Sequence, residues 1–303
     1  SAPPIAQFQE GESVNTLLAL QEARLLTTSQ GKPYVRLTLR DASGSIQANL
    51  WDADRDTFET LAAAQAVRVR GAVESFRGTL QLKLSAVRPA TEDEYDGIAF
   101  VPTTSADLKA LRGELERFVT SVSDEDYASV LHAFFDSADF VDRFARAPAA
   151  RQNHHAYIGG LLEHTISIAR LAEAFARTSN APIHGDLLVA GALLHDVGKV
   201  EELAVGTTIE YTDIGRLVGH LTLGAIMVKE RCDALKGFPR EKLWLLLHLI
   251  LSHHGRLEFG SPVRPAIPEA LALHHLDNLD AKTVAASRCI SEDADVDRNW
   301  TEY

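Results

Sequence analysis

Apolar and polar residues alternate with a period of two through most of the first ninety positions and recur with a period near 3.6 after Pro102. In the first part, residues 33–40 alternate, Asp41, Ala42, Ser43 and Gly44 supply a turn, and residues 45–51 alternate again, which predicts a β-hairpin. Residues 66–73 and 79–84 form a second pair around Phe76, Arg77 and Gly78, with a short helix at residues 55–64 between the pairs. Adding a first strand near residues 17–26 makes five strands and one inserted helix.

Beyond Pro102, Leu108, Leu111, Leu115, Phe118 and Val122 share one helical face behind Ser105 as N-cap. Ser123 caps a second helix carrying Tyr127, Val130, Leu131 and Phe134. Helices are predicted over residues 155–177, 186–199, 214–232, 240–254 and 268–288, and no stretch among them reads as a strand. The fold class is therefore multidomain β plus α, an N-terminal five-stranded barrel and a C-terminal all-α bundle. Its expected divisions are an arm at 1–10, the barrel at 11–90, a linker at 91–104, the bundle at 105–290 and an acidic tail at 291–303. A length of 303 residues suits two separate cores.

A net charge of -12 would ordinarily argue against nucleic acid, which is bound through Lys and Arg. Between Gly11 and Ala90, however, ten basic residues face eight acidic ones, a balance of +2, and the acidity concentrates in residues 92–96 and in the tail. A barrel that grips single strands uses exposed aromatics for stacking and Arg for the backbone, and Tyr34, Trp51, Phe76 and Arg77 are the candidates. Tyr34 and Trp51 would equally fill the barrel interior. The longest apolar run, residues 243–251, is too short for a membrane span, so no membrane partner is expected. Residues 1–10 lack the regions of a signal peptide. Two isolated cysteines, Cys232 and Cys289, fit a reducing compartment, and the expected location is cytoplasmic.

Most of the twelve histidines fall on the predicted helices. His164 follows Gly159, Gly160, Leu161, Leu162 and Glu163, while His195 and Asp196 end an apolar helix before Val197, Gly198 and Lys199. Adjacent residues on a helix project about 100° apart, yet a long imidazole and a short carboxylate still converge on one cation. Asp277, on a later helix, completes a mononuclear set, and His220, His253 and His254 add nitrogen for a second ion with Asp196 as bridge. Any one of these histidines alone is more often structural. Imidazole and carboxylate without thiolate suit Mn, Fe, Ni, Co or Zn. A cation in such a site lowers the pKa of its water and polarises phosphoryl oxygens. Lys199 either neutralises charge developing on a phosphoryl group or is a helix-terminal lysine favoured by the macrodipole. His154, His155 and Arg216 either line the substrate cleft or are solvated and capping residues.

The order H, HD, H, HH, D on successive helices resembles the HD superfamily of metal-dependent phosphohydrolases. That resemblance implies metal ligands at His164, His195, Asp196 and Asp277, with His220, His253 and His254 completing a second position as in binuclear members; in a mononuclear site those three would instead bind substrate phosphate or support the ligands from behind. The barrel resembles an OB-fold of the tRNA-anticodon-binding type, through residues 39–44, 48–52 and Gly71, Ala72 and Val73. The two in this order resemble the YhaM family of 3′-to-5′ exoribonucleases. The segments that carry this likeness are residues 153–155 and 159–165, residues 211–220, residues 251–255, and residues 276–282. Membership implies removal of mononucleotides from single-stranded RNA, and also from DNA, by a homo-oligomer. The expected cofactor is a divalent transition metal, Mn(2+) foremost, at one or two per chain. Two other readings are an HD phosphohydrolase for nucleotides or cyclic dinucleotides, and a single-strand-binding module with a silent bundle.

Overall fold

Residues 3–151 and 155–292 are described by the computed structural model. Their contacts fall into two units, Ser1–Thr103 with Val205–Thr208, and Thr104–Ala204 with Ile209–Tyr303. In the first, β1 (Ser13–Thr27), β2 (Pro33–Asp41), β3 (Gly44–Trp51), β4 (Ala66–Phe76) and β5 (Thr79–Pro89) close a barrel in the order β1-β2-β3-β5-β4, with α1 (Arg55–Ala62) inserted before β4. β1 outruns its expected length because it serves two partners. Ser13 to Ala19 pair with β4 and Ala19 to Thr27 pair with β2, with a register shift between Leu20 and Glu22. Alternate residues Val35, Leu37, Leu39, Ala48 and Leu82 point inward and are fully buried.

Two expectations for this unit need correction. The arm is part of the barrel core: Ile5 and Phe8 are buried in it, and the Ile5 amide donates to Asp41 Oδ2 at 2.8 Å. The linker is ordered as well. Glu94 ends a 3-10 turn at Glu92–Glu94 and accepts from Arg68 Nε at 3.2 Å and Arg88 Nη1 at 2.7 Å, while Phe100 buries against Ala19 and Ala66. An acidic run that looks like spacer is here the counter-charge of two strand arginines.

The second unit contains α2 (Leu108–Ser121), α3 (Glu125–Phe135), α4 (Ala138–Arg146), α5 (Gly160–Thr178), α6 (Gly185–Leu194), α7 (Lys199–Glu202), α8 (Asp213–Val218), α9 (His220–Ala234), α10 (Arg240–Ser252) and α11 (Pro268–Glu292). α6 is its central helix, buried from Leu187 to Leu194 and packed against α3, α5, α10 and α11. The N-caps are Asp107 and Asp124 rather than Ser105 and Ser123, each carboxylate accepting two amides of the first turn. The bundle is also not purely helical. Leu203–Val205 (β6) and Ile209–Tyr211 (β7) form a two-stranded hairpin, too short to show a period of its own. α8 and α9 are separate helices because Gly219 breaks the run at φ 75°. The expected acidic tail lies outside the described residues beyond Glu292. Among the described residues no helix is long and apolar enough to cross a membrane.

The barrel closes tightly at the β4 irregularity between Arg70 and Gly71, where a Cβ on Gly71 would sit 2.3 Å from the Lys83 carbonyl oxygen. Gly71→Ala is therefore expected to destabilise the barrel by about 1–3 kcal/mol, the usual range for overpacking. Hydrogen exchange at β4 and β5 amides measures this directly, and wild-type protection there would contradict the packing account.

Candidate metal centre and nucleic-acid face

Helix ends bring the polar residues of the bundle to one point. His164 stands on α5, His195 caps the C-terminus of α6 with Asp196 following, His220 opens α9, His253 caps α10 with His254 following, and Asp277 lies on α11. Asp196, only 2% exposed, is the centre. Its Oδ2 lies 3.3 Å from His195 Nε2, 3.6 Å from His164 Nε2 and 2.7 Å from Lys199 Nζ. Its Oδ1 lies 3.5 Å from His220 Nε2 and 3.6 Å from His253 Nε2. Asp277 Oδ1 is 3.2 Å from His164 Nε2. Among the described residues three groups have metal-binding spacing: His164, His195 and Asp196 on one side of the centre, His220, His253 and His254 on the other, and His155, His164 and Asp280 behind His164.

Each of the five imidazoles has its other nitrogen anchored. Nδ1 donates to Asp280 Oδ2 from His164 (2.9 Å), to the Ala192 carbonyl from His195 (2.8 Å) and to Glu202 Oε1 from His220 (2.9 Å). The same nitrogen donates to the Ile250 carbonyl from His253 (2.7 Å) and to the Phe259 carbonyl from His254 (2.8 Å). With Nδ1–H so committed, Nε2 is the nitrogen each imidazole leaves for a metal, which on His164 would take the place of a proton shared with Asp277. Asp280 and Glu202 escape the sequence reading. Asp280 has a signal, since it lies three residues after Asp277 and shares its helical face. Glu202 has none, because it reaches His220 only after β6, β7 and α8 have folded back.

The electrostatics fit a cation. Nε2 of His164 and His195 face each other at 3.3 Å, as do those of His220 and His254, so two lone pairs oppose unless a positive charge lies between them. Asp196 Oδ1 is buried without a hydrogen-bond partner. Burial opposes the ionised Asp196, but Lys199 and His195 outweigh it and hold the carboxyl well below its ordinary range. Burial likewise lowers His164, yet its bonds to Asp277 and Asp280 raise it to about 9. On the other side burial, then neighbouring imidazoles, depress His253 and His254. The donor set, imidazole and carboxylate throughout, is that of a hard or borderline divalent ion.

Other expected site residues fall differently. Lys199 is turned inward onto Asp196 and is no solvated helix-end lysine. His155, read as either a cleft or a solvated residue, is instead 4% exposed behind His164, with Nε2 3.3 Å from Asp280 and Nδ1 2.8 Å from the Tyr157 hydroxyl. Asp280 also accepts from the Ser167 hydroxyl, so this layer supports His164 from the rear. Arg216 is exposed on α8, 3.7 Å from Glu210, and His154 lies outside the described residues. Gly198 has ordinary helical angles; its role is close approach, since a Cβ there would meet the His220 carbonyl oxygen at 2.1 Å.

On the barrel, Tyr34 and Trp51 are register partners on the outer face, rings 4.7 Å apart, with Trp51 42% exposed, so neither fills the interior. Arg36 Nη2 donates to the Tyr34 hydroxyl at 3.3 Å, and Arg36 Nε to Asn49 Oδ1 at 3.1 Å. Asn49 continues to Gln81 and Gln81 to Glu74, a polar strip across four strands. Phe76, 58% exposed, and Arg77 share a cleft of about 460 Å³ with Thr38, Gln47 and Gln81 on the same face.

Asp280→Asn and Glu202→Gln are each expected to weaken metal affinity about 10- to 100-fold, the usual effect of losing a carboxylate behind a ligating histidine. Calorimetric titration of Mn(2+) into metal-stripped protein checks it, and wild-type affinity in both variants would remove these carboxylates from the site.

Comparison with known proteins follows the same division. The HD domain family matches residues 161–282, and the OB-fold nucleic acid binding domain family matches residues 21–90. A helicase family model overlaps residues 110–210, but Gly198 and Lys199 there are followed by Val200, not by the Ser or Thr of a phosphate-binding loop. A replication protein A domain from Methanococcus maripaludis aligns with 28% of this chain and 90% of its own, at 19% identity and a TM-score of 0.24, too low to bear on the argument. Three relatives named 3′-5′ exoribonuclease YhaM are similar along most of the chain. That of Bacillus pumilus is 34% identical over 290 residues, that of Bacillus velezensis 36% over 292 and that of Bacillus subtilis 35% over 292. Each alignment covers 95% of this chain and 91% of the relative, and on that extent of identity the chain belongs to the YhaM exoribonuclease family.

Proposed function

We propose that this chain is a metal-dependent 3′-to-5′ exonuclease that hydrolyses the phosphodiester bonds of single-stranded RNA to mononucleotides, with single-stranded DNA as a second substrate. The observation that carries this is the set of five imidazoles, each anchored through Nδ1, of which four bring Nε2 within 3.6 Å of Asp196 and the fifth, His254, brings it to 3.3 Å from His220 Nε2. In this reading His164, His195, Asp196 and Asp277 hold one divalent cation, and His220, His253 and His254 hold a second, with Asp196 shared. Cations so held supply Lewis acidity toward a phosphoryl oxygen and make a water-derived nucleophile available at neutral pH. Lys199 keeps Asp196 ionised and adds positive charge where a phosphoryl group gains negative charge. Mn(2+) is the metal we propose, one of the several divalent ions that nitrogen and oxygen donors suit.

The barrel's task in the same reading is to grip the strand. Tyr34 and Trp51 offer a stacking surface, Phe76 and Arg77 a second contact, and the near-neutral charge of this region spares the RNA the repulsion of the chain as a whole. Unpaired Cys232 and Cys289 fit a cytoplasmic location, and assembly as a homo-oligomer completes the reading. A silent bundle is disfavoured because all seven expected ligands are present.

Asp196→Ala is expected to abolish hydrolysis and to remove bound metal while the helical circular dichroism persists. Elemental analysis should find two metals per wild-type chain and one in a His253→Ala, His254→Ala double variant. Hydrolysis of 3′- or 5′-labelled RNA by metal-free Asp196→Ala at the wild-type rate would end the metal assignment.

Replacing Trp51 by Ala should cost about 1 to 3 kcal/mol of RNA binding per stacked base. Fluorescence anisotropy with a labelled single-stranded RNA measures the loss; undiminished affinity in a Tyr34→Ala, Trp51→Ala variant would move the grip elsewhere.

A further inference from the structure

The loop that follows α10 bears on the centre in a way that neither the metal set nor the barrel uses. His254 is tied to it through the Phe259 carbonyl at 2.8 Å. Gly255, at φ 77°, starts the turn so close to α11 that a Cβ would meet the His274 ring at 2.3 Å, so the turn is seated on that helix. Three backbone bonds then close it: Phe259 and Ser261 amides donate to the Arg256 carbonyl at 3.1 and 3.3 Å, and the Gly260 amide to the Leu257 carbonyl at 3.0 Å. This is a built loop, held at both its ligand end and its tip.

What the loop displays is unusual for so fixed a segment. Phe259 is 61% exposed, and the Arg256 guanidinium carbon lies 5.8 Å from its ring centre. Immediately after His254, a cleft of about 370 Å³ is lined by Gly255, Arg256, Glu258 and Arg264. Among the described residues neither arginine forms an ion pair with a carboxylate, in a chain of net charge -12. An exposed ring costs solvation with no folding return, and two guanidinium groups without a carboxylate partner, Arg256 at the ring and Arg264 in the same cleft, are matched to planar anionic oxygens. Such a ring offers a base a stacking surface, and such guanidinium groups offer a phosphate its donors.

We propose that residues 255–264 form a nucleotide-binding lip of the metal centre, in which Phe259 stacks on a base of the strand being degraded and Arg256 and Arg264 hold a backbone phosphate next to it. The inference rests on the RNA-degrading reading above. Because the Phe259 carbonyl also orients His254, one short loop positions both a ligand to the metal and the nucleotide presented to it.

The test uses full-length, metal-loaded protein. Phe259→Ala leaves the backbone carbonyl in place, and all three side chains are exposed, so the fold and His254 are not at stake. Phe259→Ala should raise KM for single-stranded RNA about tenfold or more, as loss of one stacked base predicts, with the effect in KM rather than kcat. In an Arg256→Ala, Arg264→Ala variant, affinity for a slowly cut phosphorothioate RNA should fall less steeply with salt, by about 0.7 in log–log slope for each phosphate that is no longer neutralised. Arg→Lys at both positions should restore the slope, and metal content should stay at the wild-type value throughout. Unchanged KM and salt slope while wild type degrades RNA would overturn the lip and leave the exonuclease reading standing. Loss of metal in these variants would also overturn it, by making the loop only a support for His254. A wild type that neither binds nor shortens RNA would overturn both.

Discussion

Removing a carboxylate from water costs several kcal/mol unless compensating charge and hydrogen bonds surround it, and Asp196 is buried where α5, α6, α9 and α10 direct their histidines. Its two oxygens face opposite sets of imidazoles, and Lys199 supplies the only lysine charge in contact with it among the described residues. The imidazoles and carboxylates around it can be read as a response to that buried charge. The imidazoles turn Nε2 toward it because Asp280, Glu202 and three main-chain carbonyls hold Nδ1 on the other side. A cation would satisfy what remains, the facing imidazole nitrogens and the unpartnered Oδ1.

The same demand explains local choices that look arbitrary in isolation. Asp196 follows a helix, α6, that is buried on all sides, so its backbone cannot shift to accommodate a poorly placed partner. The partners come to it instead. Gly198 lets the segment after Asp196 approach the start of α9, Gly219 breaks the helix so that His220 can open a new one, and His253 ends α10. Three of the five imidazoles thus sit at helix termini, where the backbone is free to turn.

The barrel divides its labour by strand alternation. Inward residues make a dry core, and the outward residues of β2, β3, β5 and β4 carry Tyr34, Trp51, Phe76 and a hydrogen-bonded polar strip. An outer face with aromatic ends and an amide-rich middle fits the proposed grip on an extended single strand, because a base can stack on an exposed ring without a pocket shaped to it.

How much of this was legible without coordinates depends on the range of the interaction. Strand alternation, the helical face from Leu108 to Val122 and the order of His164, His195, Asp196, His220, His253, His254 and Asp277 are written in local spacing, and from them the two-part architecture and the candidate ligands follow. Spacing cannot say which nitrogen of an imidazole faces inward, since that is set by partners far along the chain, Asp280 for His164 across 116 positions and Glu202 for His220 across 18. It misplaced the helix caps by one or two residues, because Ser and Asp compete for the same amides and the approach of the preceding chain decides between them. It left His155 as either a cleft or a solvated residue and set the 1–10 arm apart from the barrel, where burial behind His164 and in the barrel core governs each. The residues alone determined which chemistry this protein carries; only tertiary packing decided how the donors face one another, because buried charge and hydrogen-bond satisfaction are properties of neighbours in space.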